Sequence, residues 1–135
     1  DGGSTDVQCF RPVYGGTFVR SNHLVEGARG PYGGETIFSW DAEEGVVTYT
    51  YWDTSGGTSR GTMIPTDTGL RAPDETYDTP DGSQMVISSR WTITSDESWQ
   101  QVVEQLSGDA RKTLWTIDYT RAPLSSGPRP ELGGN

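Results

Sequence analysis

The sequence predicts an all-β protein, an antiparallel up-and-down β-barrel of about eight strands. Clusters of turn-forming residues recur about every eight to twelve residues, and apolar and polar residues alternate with period two between them. The turn clusters are GARGPYGG, DAEEG, DTSGG, PTDTG, DTPDG, TSDES and SGDA. A barrel is favoured over an open sheet because eight such strands place the first beside the last in antiparallel sense and hide both edges.

The 135 residues suffice for one domain, in which three parts are expected. Residues 1–10 are expected to be flexible, residues 11–121 to form the barrel, and residues 122–135, which are rich in Pro, Gly and Ser, to form a disordered tail. The expected strands are 17–25, 35–40, 46–52, 58–64, 70–77, 84–93, 99–106 and 111–121.

The segment TSDESWQQVVEQLSG is ambiguous between strand and helix. Four of its apolar residues have the i, i+3, i+4, i+7 spacing of an amphipathic helix: Trp99, Val102, Val103 and Leu106. A strand over residues 96–106 is nevertheless favoured, because the segment lies between two well-defined strands and residues 111–121 need a hairpin partner across the short SGDA turn.

Hairpin register predicts which residues face the interior. A five-residue DTSGG turn pairs Trp52 with Thr58 and places Tyr49 opposite Gly61. A five-residue DAEEG turn would place Ile37 opposite Tyr49. The inward set on these strands is then Ile37, Ser39, Val47, Tyr49, Tyr51, Ser59, Gly61 and Met63.

The same parity favours odd-numbered residues inside on the other strands. The inward residues expected there are Met85, Ile87, Ser89, Trp91, Ile93, Trp115, Ile117 and Tyr119, with Val19, Ser21, His23 and Val25 near the start of the chain. On that first strand, Phe18 and Leu24 favour the opposite face. The barrel interior is either filled by these rings or open to one small ligand, and both alternatives remain.

Five segments resemble a known family: RPVYGGTFVR, YGGETIFSWD, VTYTYWDTSGGTSRGTM, SSRWTI and LWTIDYTR. They resemble bacterial lipocalin-like β-barrel domains of unknown function, relatives of the calycin superfamily. The matching residues are Gly15, Gly16, Gly33, Gly34, Trp40, Asp41, Tyr119 and Arg121. The resemblance implies a barrel with a small ligand and no known reaction, and the chain lacks the Gly-x-Trp strand with which relatives begin.

The overall layout also resembles the haem-binding nitrobindins, but their iron ligand is a histidine late in the chain. No histidine follows His23 in this sequence, so haem is not expected. A single cysteine, Cys9, excludes an intrachain disulfide, and one Cys with one His cannot furnish a usual zinc site. No metal and no cofactor are expected.

Composition restricts the partners. Nineteen acidic and ten basic residues give a net charge of −9, which disfavours nucleic acid and anionic membrane surfaces. No apolar run reaches the roughly 20 residues that a membrane helix needs, so membrane insertion is not expected. A cytoplasmic location and the mature form of an exported protein both remain open.

Three functions compete. The first is the binding of a small apolar or aromatic molecule by residues of the interior, namely Tyr49, Tyr51, Met63, Trp91, Trp115, Tyr119 and His23. The second is an enzyme of the cyclase or isomerase type in the same cavity, with His23 as general base. The third is a protein-interaction module or homodimer that uses three outward rings, Phe38, Trp40 and Trp52.

No residue is expected to be catalytic on the strength of a motif, because nucleophile elbows, phosphate loops and metal-binding spacings are absent from the sequence. His23 has a simpler interpretation as a hydrogen-bonded strand residue. Asp41 and Asp53 are expected to bond the backbone amides of their own turns.

Overall fold

A computed structural model describes residues 3–27 and 30–123 of the chain. Within them lie nine strands and one 3-10 turn, Tyr14–Gly16. The strands are β1 Thr5–Val13, β2 Phe18–Glu26, β3 Tyr32–Asp41, β4 Val46–Asp53, β5 Thr58–Thr66, β6 Gly69–Asp78, β7 Gln84–Ser95, β8 Ser98–Ser107 and β9 Ala110–Thr120. Each pairs antiparallel with the next, so the predicted all-β up-and-down fold is confirmed, with one strand more than expected.

The sheet curls into a half-barrel instead of a closed barrel. Over the described part of the chain, no ladder joins β1 to β9. Side chains connect the two ends: the Tyr119 hydroxyl donates a hydrogen bond to Asp6, and the ring of Phe10 lies 6.2 Å from that of Trp91 and 6.3 Å from that of Trp99. The first and last strands therefore meet through side chains and not through backbone hydrogen bonds.

The extra strand is β1, where the sequence analysis expected a flexible segment over residues 1–10. Its inward residues include the polar Asp6 and Gln8, so the strand lacks the apolar alternation that would have revealed it. Pro12 is tolerated because β1 is an edge strand, paired only with β2. Of the predicted tail, residues 124–135 lie outside the described residues.

The ambiguous segment is a strand, β8, and the helical interpretation of its spacing is wrong. Val103 is buried beside Ser89 of β7, whereas Val102 is paired with Arg90 and lies on the other face. The apolar residues imitate a helical pattern because both faces of β8 carry them.

The β4–β5 hairpin has the predicted register, with Trp52 opposite Thr58 and Tyr49 opposite Gly61. The β3–β4 register is shifted by one residue from the prediction. Asp41 pairs with Val46, and the turn between them has four residues, 42–45, instead of five.

Turn chemistry accounts for this shift. The Asp41 carboxylate accepts hydrogen bonds from the amides of Glu43 (3.0 Å) and Glu44 (3.1 Å), as predicted for this residue. Gly45 closes the turn with a positive φ of 67°, a conformation that glycine adopts without steric cost.

The one-residue shift reverses the faces of β3, because side chains alternate along a strand. Phe38 lies opposite Tyr49 and faces the concave side, where its ring contacts that of Trp91 at 5.8 Å. The predicted inward positions of Ile37 and Ser39 are therefore wrong.

The buried apolar core is small. One cluster consists of Tyr49, Met63 and Ala72, with Phe38, Val47, Leu70 and Trp91 packed against it. The other buried apolar residues are Ile87, Val103 and Tyr119. The remainder of the concave face surrounds a cavity. Among the described residues, no helix has the length and apolar character to cross a membrane.

Candidate functional site

The concave face of the half-barrel encloses a cavity of about 660 Å³. This volume lies within the range of roughly 300–1,000 Å³ that is typical of small-molecule sites. All seven residues predicted from the sequence to bind a ligand line the cavity: Tyr49, Tyr51, Met63, Trp91, Trp115, Tyr119 and His23. The structure thus brings them together around one space, and their role in binding stays a prediction.

These residues differ in how far they are enclosed. Met63 is 2% exposed and belongs to the core, whereas Trp115 is 45% exposed at the margin of the cavity. A bulge opposite Val103 inserts Leu114 into β9, so Leu114 and Trp115 both contribute to the lining. Ile93 follows Trp91 by two residues on the same side of β7, as the parity predicted, but it is 66% exposed and lies outside the cavity lining.

Four polar atoms of the lining residues are buried without a hydrogen-bond partner within the described ranges. They are the Tyr49 hydroxyl, Ser59 Oγ, Trp91 Nε1 and Gln8 Oε1. A buried polar group without a partner costs roughly 1–3 kcal/mol. Their concentration around one cavity provides hydrogen-bonding capacity that a bound molecule can satisfy.

Glu75 is the site residue that the sequence analysis missed. Its side chain lines the cavity, the residue is 8% exposed, and its carboxylate accepts one hydrogen bond, from the Ser89 hydroxyl at 2.8 Å. Burial raises the pKa of Glu75 to about 7, although the Ser89 hydrogen bond acts in the opposite direction. A carboxyl group that titrates near neutrality therefore faces the ligand space.

A β-bulge places Glu75 in this position. The β6–β7 register shifts between Ala72 and Glu75, so an even-numbered residue before the bulge and an odd-numbered one after it are both buried. Simple alternation cannot reveal such a residue. The signal in the sequence was a glycine, Gly61, which pairs with Glu75 on one side and with Tyr49 on the other.

A second cluster of polar side chains surrounds His23. Its Nδ1 is 3.2 Å from Asp6 Oδ1, and its Nε2 is 2.8 Å from the Tyr51 hydroxyl. The side chains of His23 and Asp6 are only 15% and 8% exposed. His23 is thus a hydrogen-bonded strand residue and also lines the cavity.

The chain of hydrogen bonds continues beyond Tyr51. The hydroxyls of Tyr51 and Tyr32 are 2.9 Å apart, and Tyr32 donates to Asp53 Oδ2 at 3.0 Å. Tyr77 donates to the same oxygen at 2.6 Å. Burial raises the pKa of Tyr51 and of Tyr32 above the usual value.

The number of available protons limits which hydrogen bonds of this series can form at the same time. Four links run from Asp6 through His23, Tyr51 and Tyr32 to Asp53, and each needs one proton. Two tyrosine hydroxyls and a neutral imidazole supply three protons, whereas an imidazolium supplies the fourth. With both carboxyl groups ionised, all four links form together only when both ring nitrogens of His23 carry a proton.

Asp53 has the turn role predicted for it and a second role besides. Its Oδ1 accepts hydrogen bonds from the amides of Ser55 (2.9 Å) and Gly57 (3.0 Å), while its Oδ2 receives the two tyrosines. Burial raises the pKa of Asp53, but the hydrogen bonds from Ser55, Tyr77, Gly57 and Tyr32 outweigh it and lower the pKa below the usual value.

The three rings proposed to form an outer surface do not share one face. Phe38 lies in the cavity wall, and Trp40, two residues further along β3, is on the same side of the strand but 56% exposed. Trp52 of β4 points away from the cavity and is 46% exposed. The common surface of Phe38, Trp40 and Trp52 is therefore a wrong prediction.

Among the described residues, no group of three or more His, Cys, Asp or Glu side chains is arranged to hold a metal ion. Cys9 is a free thiol of intermediate exposure on β1. No protein-family model and no curated protein gives a match to this chain.

Proposed function

We propose that this protein binds a small molecule with an apolar or aromatic body in the cavity of the half-barrel. The observation that carries the proposal is the combination of aromatic walls with buried polar atoms that lack partners around one space of about 660 Å³. Small-molecule sites commonly have this composition, with apolar surface for affinity and a few polar groups for orientation.

The aromatic wall consists mainly of Phe38, Trp91 and Tyr49. The ring of Phe38 is 5.8 Å from that of Trp91 and 6.2 Å from that of Tyr49. An aromatic ligand can extend this cluster, and burial of its apolar surface contributes roughly 25 cal/mol per Å². The curled antiparallel sheet around one cavity also suits the proposed likeness to calycin-type barrels.

Fluorescence titration tests the proposal. Tryptophans 91, 99 and 115 lie in or beside the cavity, so their emission should change with saturation at one site when a panel of aromatic ligands is added. A Trp91→Ala substitution should weaken the binding. Indifference of the protein to every ligand in the panel would contradict the proposal.

A more conservative substitution, Tyr49→Phe, distinguishes an effect on ligand affinity from an effect on stability. Tyr49→Phe removes a buried hydroxyl that has no partner, so the free protein should be as stable as the wild type or more so, while a ligand that bonds this hydroxyl should bind more weakly. The matched control is Tyr14→Phe, because Tyr14 is 70% exposed and outside the cavity lining. Equal affinity of both variants for the whole panel would argue against an orienting hydroxyl.

The hydrogen bonds that link Asp6, His23 and Tyr51 favour a second candidate function. It is an enzyme that uses His23 and Tyr51 for proton transfer to a bound ligand. Acid–base chemistry needs a positioned donor or acceptor at the ligand space, and Tyr51 and His23 both line it. Isomerisation or cyclisation requires no cofactor, so either reaction suits this set of residues.

Hydrogen–deuterium exchange tests the second candidate without knowledge of the product. Ligands found by titration are incubated in D₂O with the protein, and their carbon-bound hydrogens are followed by NMR. We expect exchange with the wild type and with Tyr14→Phe, and its loss in Tyr51→Phe. Absence of exchange in every bound ligand would leave binding as the sole proposed function.

A further inference from the structure

The ionisable side chains that line the cavity include carboxyl groups but no lysine or arginine among the described residues. The carboxyl groups are those of Asp6 and Glu75. Asp6 already accepts a hydrogen bond from Tyr119 and lies beside the His23 ring. Glu75, by contrast, has one hydrogen-bond partner within the described ranges, the neutral hydroxyl of Ser89.

Two hydroxyl groups without partners among the described residues, those of Ser59 and Tyr49, lie on β5 and β4, the two nearest strands on one side of Glu75. Ser59 of β5 is 4% exposed, its Oγ is without a partner, and it is two residues from Gly61, which pairs with Glu75. The Tyr49 hydroxyl approaches the same glycine from the other side and also lacks a partner. The Tyr49 hydroxyl and Glu75 therefore lie next to each other beside Gly61, with Ser59 two residues along β5, and no lysine or arginine among the described residues lines the cavity to balance the carboxylate.

From this arrangement we infer that the ligand is an aromatic amine, whose ammonium group binds the Glu75 carboxylate while its ring packs against the wall formed by Phe38 and Trp91. The inference deepens the proposed binding function and rests on it. An ammonium group supplies three donors and a positive charge, which Glu75, Ser59 and Tyr49 can receive together.

The same features select against other ligand classes. A carboxylate ligand, such as a fatty acid, would place a second negative charge near Glu75 in a region of low dielectric, with no lysine or arginine of the lining to balance it. A neutral alcohol would gain the aromatic contacts but not the charge-assisted hydrogen bond. The net charge of −9 on the chain favours the approach of cations over anions.

The protonation of Glu75 adds a dependence on pH. Its pKa of about 7 means that the carboxylate becomes available as pH rises through neutrality, whereas an alkylammonium keeps its proton to about pH 10. The flanking strands β5 and β7 contribute no titratable side chain to the cavity; β4 contributes Tyr49 and Tyr51, and β6 itself contributes Tyr77. The affinity for an amine should therefore increase from pH 5 to pH 8.

Calorimetry with three ligands of one shape tests the inference: 2-(1-naphthyl)ethylamine, 2-(1-naphthyl)ethanol and 1-naphthylacetate. At pH 8 we expect the amine to bind roughly 10- to 100-fold more tightly than the alcohol, as for a hydrogen bond to a charged group, and the acetate to bind most weakly. Glu75→Gln should reduce the affinity for the amine to that for the alcohol. Asp74→Asn is the matched control, because Asp74 is the exposed neighbour outside the lining.

The outcomes separate the two proposals. If the alcohol binds as tightly as the amine, or if Glu75→Gln keeps the preference for the amine, amine recognition is wrong and the binding of aromatic molecules stands. If none of the three ligands binds, both proposals fail. The ratio of the amine and alcohol affinities of the wild type at pH 5 and pH 8 tests the inference without any variant, and a constant ratio would overturn it.

Discussion

Tyr49 of β4 lies directly opposite Gly61 of β5, and its hydroxyl oxygen is 2.7 Å from the point that a Cβ atom on residue 61 would occupy. The Cβ atom of Glu75 is 3.1 Å from the same point. Gly61 thus gives the tyrosine ring and the glutamate the space in which both reach the cavity.

Gly61→Ala should therefore destabilise the protein and weaken ligand binding. The added methyl group must displace the Tyr49 ring or β6, and overpacking of this kind costs roughly 1–3 kcal/mol. Urea denaturation measures the loss, with Gly3→Ala as the control because open space surrounds the Cβ position there. A Gly61→Ala protein with wild-type stability would show that the tyrosine moves away freely.

Glu75 should make the stability fall as pH rises from about 4.5 to 7. The pKa of Glu75 rises from 4.5, its ordinary value, to about 7 in the folded protein. Between these two pH values the folded protein therefore binds more protons than the unfolded chain. The stabilising contribution is complete below pH 4.5 and is lost as pH passes through 7, a change on the order of 3 kcal/mol. Glu75→Gln should remove this slope and be more stable than the wild type at pH 8.

Denaturation at pH 5 and pH 8 measures the effect, and Asp74→Asn serves again as the control because the residue is exposed. The comparison between variants is needed because other groups titrate in the same range. A wild-type and a Glu75→Gln protein with the same pH profile would contradict the assigned titration.

His23 and Tyr51 should be energetically coupled. Loss of either side chain deprives the other of its hydrogen bond at 2.8 Å and interrupts the chain between Asp6 and Asp53. A double-mutant cycle with His23→Ala and Tyr51→Phe should give a coupling energy of roughly 0.5–3 kcal/mol. Replacement of Tyr51→Phe by Tyr14→Phe in the cycle should give additive effects.

NMR spectroscopy can test how many protons the His23 ring carries in the hydrogen-bonded series from Asp6 to Asp53. His23 is the only histidine, so its ring signals need no assignment. A two-bond nitrogen–proton spectrum should show both ring nitrogens protonated in the wild type under conditions where the four links are formed. A neutral ring with one protonated nitrogen would show that one of the four links lacks a proton, provided that both carboxyl groups are ionised.

Phe10 should hold the first strand against the far side of the cavity. Although 42% exposed, its ring lies within 6.3 Å of those of Phe38, Trp91 and Trp99. Phe10→Ala should cost about 1–2 kcal/mol, less than a fully buried phenylalanine, and should increase the quenching of tryptophan emission by acrylamide. Ile93→Ala, at a residue 66% exposed, should leave both quantities unchanged.

Pairing across a glycine-rich turn could be predicted, and pairing across an acidic turn could not. The DTSGG turn fixes Trp52 opposite Thr58, and the alternation of tyrosine and threonine then gives the faces of β4 and β5. In DAEEG, pairing at Trp40 or at Asp41 leaves an acceptable turn. The hydrogen bonds of Asp41 decide between them, and the whole inner face of β3 depends on that choice.

The most polar parts of the site were the least predictable. Asp6 and Gln8 place polar residues on the inner face of β1 beside Phe10, and Glu75 follows a bulge that breaks the alternation of β6. A pattern of hydrophobicity detects strands because burial favours apolar groups. It therefore fails where buried residues are polar, and His23 alone among these polar residues stood out by its chemistry.

Nine strands in simple succession send β1 and β9 in the same direction. An antiparallel seam between them is therefore impossible, and the molecule relies on a tyrosine–carboxylate contact and the Phe10 ring at that place. Separation of the two margins would break these contacts and leave every backbone ladder of the described residues intact. A small molecule that enters between the two margins would therefore part side chains and leave the main-chain hydrogen bonds in place.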